Sequence, residues 1–130
     1  MKKNYNYWKI IGNLLKKYLK YINTISPTWF ALSDNEGTVE SIGSNAYVET
    51  CHAKGIKVWG LVSNLTYPEV STGAVLSDPQ KRAYVTEQLL GYAAQFSLDG
   101  INIDFESIAA EDGPSFIQFV REFTLKAHEK

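Results

Sequence analysis

The chain has 130 residues, about the size of one domain. It is 45% hydrophobic, 21% charged and 13% aromatic, which excludes intrinsic disorder as its main state. Thirteen Lys and Arg against fourteen Asp and Glu leave a net charge of −1, so nothing electrostatic draws the chain to nucleic acid or to an anionic membrane surface.

Lys2 and Lys3 resemble the positive start of a secretory leader. Asn4-Tyr5-Asn6-Tyr7-Trp8 is too polar for the apolar region that should follow, and Lys9, Lys16 and Lys17 interrupt the rest. No export signal is expected from this stretch, and no apolar run approaches the roughly 18 residues of a membrane span. Tyr5 to Tyr21 predicts an amphipathic helix, with Trp8, Ile11, Leu15, Tyr18 and Ile22 at spacings of three and four. Packing against the rest of the domain is the ordinary use of such a stripe.

Asn23 to Leu32 is rich in β-branched and aromatic residues and ends in the turn-forming run Ser33-Asp34-Asn35-Glu36-Gly37. It predicts a strand and then a loop or short hairpin. Pro27 implies that the strand starts, bends or lacks a partner there. Asn45 to Lys54 predicts a helix capped by Ser44 or Asn45 and closed by Gly55. Its Cys51, the sole cysteine, excludes a disulfide framework and reads as a thiol without a function. Ile56 to Val62 predicts a buried parallel strand. Leu65 to Ser77, with Pro68, Gly73 and several Ser and Thr, reads as a loop. Asp78-Pro79 is a strong helix start, and the helix runs to about Phe96. Leu98 to Glu106 is the third strand. Gly113-Pro114 opens a last helix with Phe116, Phe119, Val120 and Phe123 on its apolar face.

A helix followed by three strand–helix units predicts an α/β fold with a parallel sheet, and no linker divides residues 1–130, so one domain is expected. The third strand carries the chemistry. Ile101, Ile103 and Phe105 alternate with Asn102, Asp104 and Glu106. A strand buried on both faces should be apolar on both, yet one face here holds an amide and two carboxylates. Neighbouring carboxylates disfavour double ionisation and favour a proton on one of them. That is the requirement for a general acid at a glycosidic oxygen. Glu106, nearest the C-terminal end of the strand where parallel α/β proteins place ligands, is the candidate acid. Two other uses of these residues stay open, a solvated sheet edge and a divalent-cation site.

Asp99-Gly-Ile-Asn-Ile-Asp-Phe-Glu106 resembles the Asp-x-x-Asp-x-Asp-x-Glu signature of glycoside hydrolase family 18. Ile25-Ser-Pro-Thr-Trp-Phe30 and Gly55-Ile-Lys-Val-Trp-Gly-Leu-Val-Ser-Asn64 resemble the second and third strands of its spore-cortex branch, the peptidoglycan N-acetylglucosaminidases of germination. The resemblance implies a (β/α)8 TIM barrel, an N-acetylglucosamine-containing glycan as partner, no cofactor or metal, and a spore or cell-wall location. It implies that Glu106 is the acid/base and that Asp104 orients the substrate's 2-acetamido group, whose oxygen is the nucleophile in this substrate-assisted exception to the two-carboxylate scheme. Asp99 would support the row from behind, and Asn102 would be a hydrogen-bonding partner of Asp104. Trp29, Asn64 and Tyr67 would lie at or beyond strand ends, within reach of a sugar. A barrel takes about 250 residues, so the resemblance covers about three of its strand–helix units. A partial barrel of this kind is expected to leave sheet edges that invite self-association or a complementing half. It is also expected to work weakly or not at all by itself, or to act as a non-catalytic glycan binder through Trp29, Trp59 or Tyr67.

Overall fold

The computed structural model describes residues 17–129. The helix expected over Tyr5–Tyr21 falls for the most part outside the described residues; its last residues, Leu19–Tyr21, form a 3-10 turn. There follow β1 (Thr24–Ile25), β2 (Thr28–Leu32), β3 (Val39–Ser41), α1 (Asn45–Ala53), β4 (Lys57–Ser63), α2 (Thr72–Leu76), α3 (Pro79–Phe96), β5 (Gly100–Asp104), a 3-10 turn at Ala110–Asp112, and α4 (Gly113–His128).

β4 is the middle of the sheet. β5 pairs with it in parallel, from Trp59 opposite Gly100 to Ser63 opposite Asp104. β1 and β2 run in line along the other edge, where Lys57 N–H donates to Asn23 O and Leu61 N–H to Pro27 O, both at 2.9 Å. β3 turns back antiparallel to β2, completing the expected hairpin. The turn between them is held by Asp34 Oδ1, which accepts the N–H groups of Glu36 and Thr38, each at 2.9 Å.

The expected strand over Asn23–Leu32 is thus two segments. Pro27 has no N–H to give a ladder, and the register with β4 shifts between Thr28 and Phe30. The shift is a bulge, and it puts Trp29 and Phe30 both among the buried residues. The Leu65–Ser77 segment, expected as a loop, contains the one-turn helix α2. The Ser71 hydroxyl accepts from Ala74 N–H at 3.2 Å, and Val75 and Leu76 are buried beneath it. β5 ends at Asp104 instead of Glu106.

The other helix ends follow their residues. Ser44 caps α1, Gly55 (φ +72°) ends it, and Asp78 caps α3 with Pro79 in the first turn. Burial along β4 alternates: Val58, Gly60 and Val62 are buried, while Lys57 and Trp59 are exposed and Leu61 and Ser63 half-buried. The core lies between that buried face and the helices. Ile101, Ile103 and Phe105 pack against it, with Phe105 stacked on Phe119 at 5.8 Å and Phe30 on Tyr92 at 5.2 Å. The opposite face carries Trp59, Leu61, Ser63, Asn102 and Asp104 and is open. The fold is α/β, a partial barrel with helices over one side of an open sheet.

Candidate active site

The register of β4 and β5 sets the site. It places Asn102 beside Leu61 and Asp104 beside Ser63 on the open face, so both strands end at the same level. Asn64 is the first residue beyond β4, and Glu106 the second beyond β5. The Asn64 side chain, 7% exposed, reaches the Glu106 backbone: its Oδ1 accepts Glu106 N–H and its Nδ2 donates to Glu106 O, both at 2.9 Å. The second Nδ2 hydrogen goes to Thr72 Oγ1, also at 2.9 Å, at the start of α2. Ser107 then turns the chain with φ at +55°, a region that side chains other than glycine's seldom occupy.

Glu106 lines a cavity of about 480 Å³ together with Asn64, Val70, Thr72, Ser107 and Asp112. The Asp112 carboxylate packs on Gly73, where a methyl group would collide with it. Asp104 and Glu106 are both exposed. The burial that the alternating strand implied is absent, because the face they occupy is uncovered. Among the described residues, no three His, Cys, Asp or Glu side chains come together as a metal cage would need, and no helix is long and apolar enough to cross a membrane.

The other sequence-derived candidates have different places. Asn102 donates to Ser26 Oγ at 3.2 Å, across β4, instead of to Asp104. Asp99 sits at the opposite end of β5 from Glu106, where its carboxylate accepts from Val58 N–H at 2.7 Å and pairs with His52 Nε2 at 2.8 Å. Burial pushes the Asp99 carboxyl up, but the Val58 and His52 hydrogen bonds and the nearby positive charges outweigh it and hold the group below its usual value. Trp29 is not at a strand end. It is 7% exposed and packs edge-on to Tyr47 at 5.2 Å, turned inward by the bulge in β2. The Tyr67 hydroxyl, beyond the end of β4, donates to a Glu40 carboxylate oxygen, and this hydrogen bond is the main reason its phenol titrates above the usual range.

Asn64, Glu106 and Asp104 are therefore brought to one end of the sheet, while Asp99 and Trp29 are not. Sequence reasoning missed Thr72, Ser107 and Asp112. Only Thr72 left a trace, in the Ser71-Thr72 pair before the short apolar run Ala74-Val75-Leu76, which is a helix-start pattern. In chemical terms the arrangement is a carboxyl group on a segment pinned through its backbone, open to solvent at the mouth of a cavity. It can pass a proton to, or take one from, a ligand seated there.

No protein-family model matches the chain. The chain is 32% identical over 126 residues to "Uncharacterized glycosylase YvbX" of Bacillus subtilis, covering 91% of this chain and 36% of the relative. The chain spans about a third of the length of the curated relatives that it matches. Its fold is that of a chitinase from Bacteroides thetaiotaomicron (TM-score 0.73, 22% identity, 82% of this chain and 35% of the other). The spore cortex-lytic enzyme SleL of Bacillus cereus shares it (TM-score 0.73, 20% identity, 87% and 28%). The Asp99–Glu106 motif, the open parallel sheet and the relatives agree: the chain is similar to part of these glycosylases, and its fold is part of the barrel that the chitinases share.

Proposed function

We propose that this chain carries the acid-bearing part of a glycosidase that cuts β-1,4 bonds next to N-acetylglucosamine in peptidoglycan or chitin. The observation that carries the proposal is the position of Glu106, exposed at the mouth of the cavity with its backbone fixed. In this reading Glu106 protonates the leaving oxygen, Asp104 on the neighbouring open face orients the 2-acetamido group, and the acetamido oxygen attacks the anomeric carbon. Glu106, now a carboxylate, then takes a proton from the water that opens the cyclic intermediate.

The test is hydrolysis of an aryl β-N-acetylglucosaminide oligomer and of muramyl glycan, with the mass of the chain in solution measured alongside. Glu106→Gln is expected to lower turnover by about 10²–10⁴-fold, the usual share of a general acid, with an unchanged melting curve. Wild-type turnover in that variant would remove Glu106 from the chemistry.

A second reading, a glycan-binding module without catalysis, is favoured by Trp59. Its ring is 43% exposed on the open face and lies over Gly100, where an added methyl carbon would sit 2.7–2.8 Å from ring carbons. An exposed indole held flat against a sheet suits stacking on a sugar. This reading expects saturable binding of N-acetylglucosamine oligomers that Glu106→Gln leaves intact and Trp59→Ala abolishes.

A further inference from the structure

We infer that Asn64 is a positioning residue: its side-chain amide, oriented by Thr72, extends the β4–β5 ladder by one rung and thereby fixes where the Glu106 carboxyl stands in the cavity. The inference rests on the reading of Glu106 as the acid and reassigns Asn64 from sugar contact to support.

Three facts lead there. First, the two bonds between Asn64 and Glu106 use one acceptor and one donor on each partner. An amide side chain has both on one edge, so Asn64 does for Glu106 what a strand backbone would do. Second, the ladder proper has ended, with Ser63 opposite Asp104 the last pair. Phe105 turns inward onto Phe119, and Ser107 leaves in a left-handed conformation. Without the Asn64 amide, the Glu106 peptide would stand between two departures from the sheet with no partner on β4. Third, the orientation of the amide is determined. Glu106 N–H requires Oδ1 on its side, and the remaining Nδ2 hydrogen is taken by Thr72 Oγ1. With Oδ1 bonded to Glu106, both hydrogens engaged and 7% of its surface exposed, Asn64 has little left to offer a sugar. A misplacement of about 1 Å at a reacting group can cost 10²-fold in rate, so a clamp on the backbone of the acid acts on turnover more than on binding.

The experiment compares the wild-type chain with Asn64→Ala, Asn64→Asp and Thr72→Val by amide hydrogen exchange, by NMR titration of the Glu106 carboxyl, and by kinetics on the aryl oligomer. Asn64→Ala is expected to speed exchange at the Glu106 amide at least tenfold, with the Val62 and Ile103 amides unchanged, and to move the Glu106 titration. Its kcat is expected to fall tenfold or more with KM within twofold. Asn64→Asp keeps an acceptor for the Glu106 N–H and is expected to restore that amide's protection in part. Thr72→Val removes only the orienting contact, is expected to shift the same readouts in the same direction by less, and replaces Asn64→Ala should that variant not fold. Unchanged Glu106 exchange, or a freed amide with unchanged kcat, overturns the inference. Where the wild-type chain shows no turnover, as expected of a partial barrel by itself, Asn64 is judged on exchange and titration, where no change overturns the clamp and a change upholds it.

Discussion

Thr86 lies on α3 with 1% of its surface exposed, and its hydroxyl has no hydrogen-bond partner among the described residues. A buried hydroxyl left unpaired costs free energy that a methyl group of the same shape does not. Thr86→Val is therefore expected to stabilise the fold by about 1 kcal/mol, read as a higher urea midpoint at constant slope. Gly60 is the opposite case. Its place on β4 lies against the Phe30 ring, and an added methyl carbon would also sit 2.9 Å from Leu98. Phe30 is 1% exposed and cannot swing away. Gly60→Ala is expected to destabilise by roughly 1–3 kcal/mol, the cost of overpacking, and the same urea titration checks it. Gly100→Ala presses on an exposed ring instead. It is expected to change Trp59 fluorescence with little loss of stability.

Between elements, the strongest polar tie is Arg82 on α3 with Glu122 on α4. Arg82 Nε and Nη2 each donate to a Glu122 oxygen at 3.1 Å, and Nη1 donates to Leu76 O at the end of α2 at 2.9 Å. One buried guanidinium thus joins three helices. The Arg82 hydrogen bond is the main cause holding the Glu122 carboxyl below its usual value, against a smaller desolvation effect in the other direction. The sign follows. A carboxyl with a lowered folded value adds stability that is full above its unfolded value of about 4.3 and fades as pH falls through the folded one. Glu122→Gln is expected to be less stable than wild type at pH 7 and to show a flatter loss below about pH 4.3, measured as urea midpoint against pH. Asp99, held below its usual value by Val58 and His52, acts in the same sense at the other end of the sheet.

The same scale shows what could be read from the chain. The caps at Ser44 and Asp78, the stop at Gly55 and the inward row Ile101, Ile103, Phe105 were legible because short-range chemistry decides them. α2 was not, because one turn of helix owes its existence to Val75 and Leu76 finding a core supplied by distant segments. Trp29 was misplaced for a related reason. The resemblance put it at a strand end, but it lies within β2 at a bulge set by the pairing of β2 with β4, which no local pattern reveals. The motif on β5 located the carboxylates but not the Asn64 clamp, which joins residues 42 apart in sequence.

Taken whole, the described part of the molecule is a sheet with one covered side. Trp59 is exposed on the other, and β5 shows one edge without a strand partner among the described residues. Such edges recruit further strands. Sedimentation across a concentration series is expected to show the mass rising with concentration, and Trp59→Arg to hold the chain monomeric; a constant mass in the wild type would exclude self-association through this face. The bulge in β2 carries a last consequence, one of counting. Upstream of it each β2 or β1 residue pairs with the β4 residue 33 positions later, downstream with the one 32 later. Removing the extra residue would make the count uniform and leave every other side chain on its present side, Ser26 beside Asn102 and Ile25 in the core, because the two bulge residues Trp29 and Phe30 already face the core together. The bulge is therefore the one place in this segment where a single residue can be lost without turning its neighbours over, and what holds Trp29 there is its packing on Tyr47 and not the register.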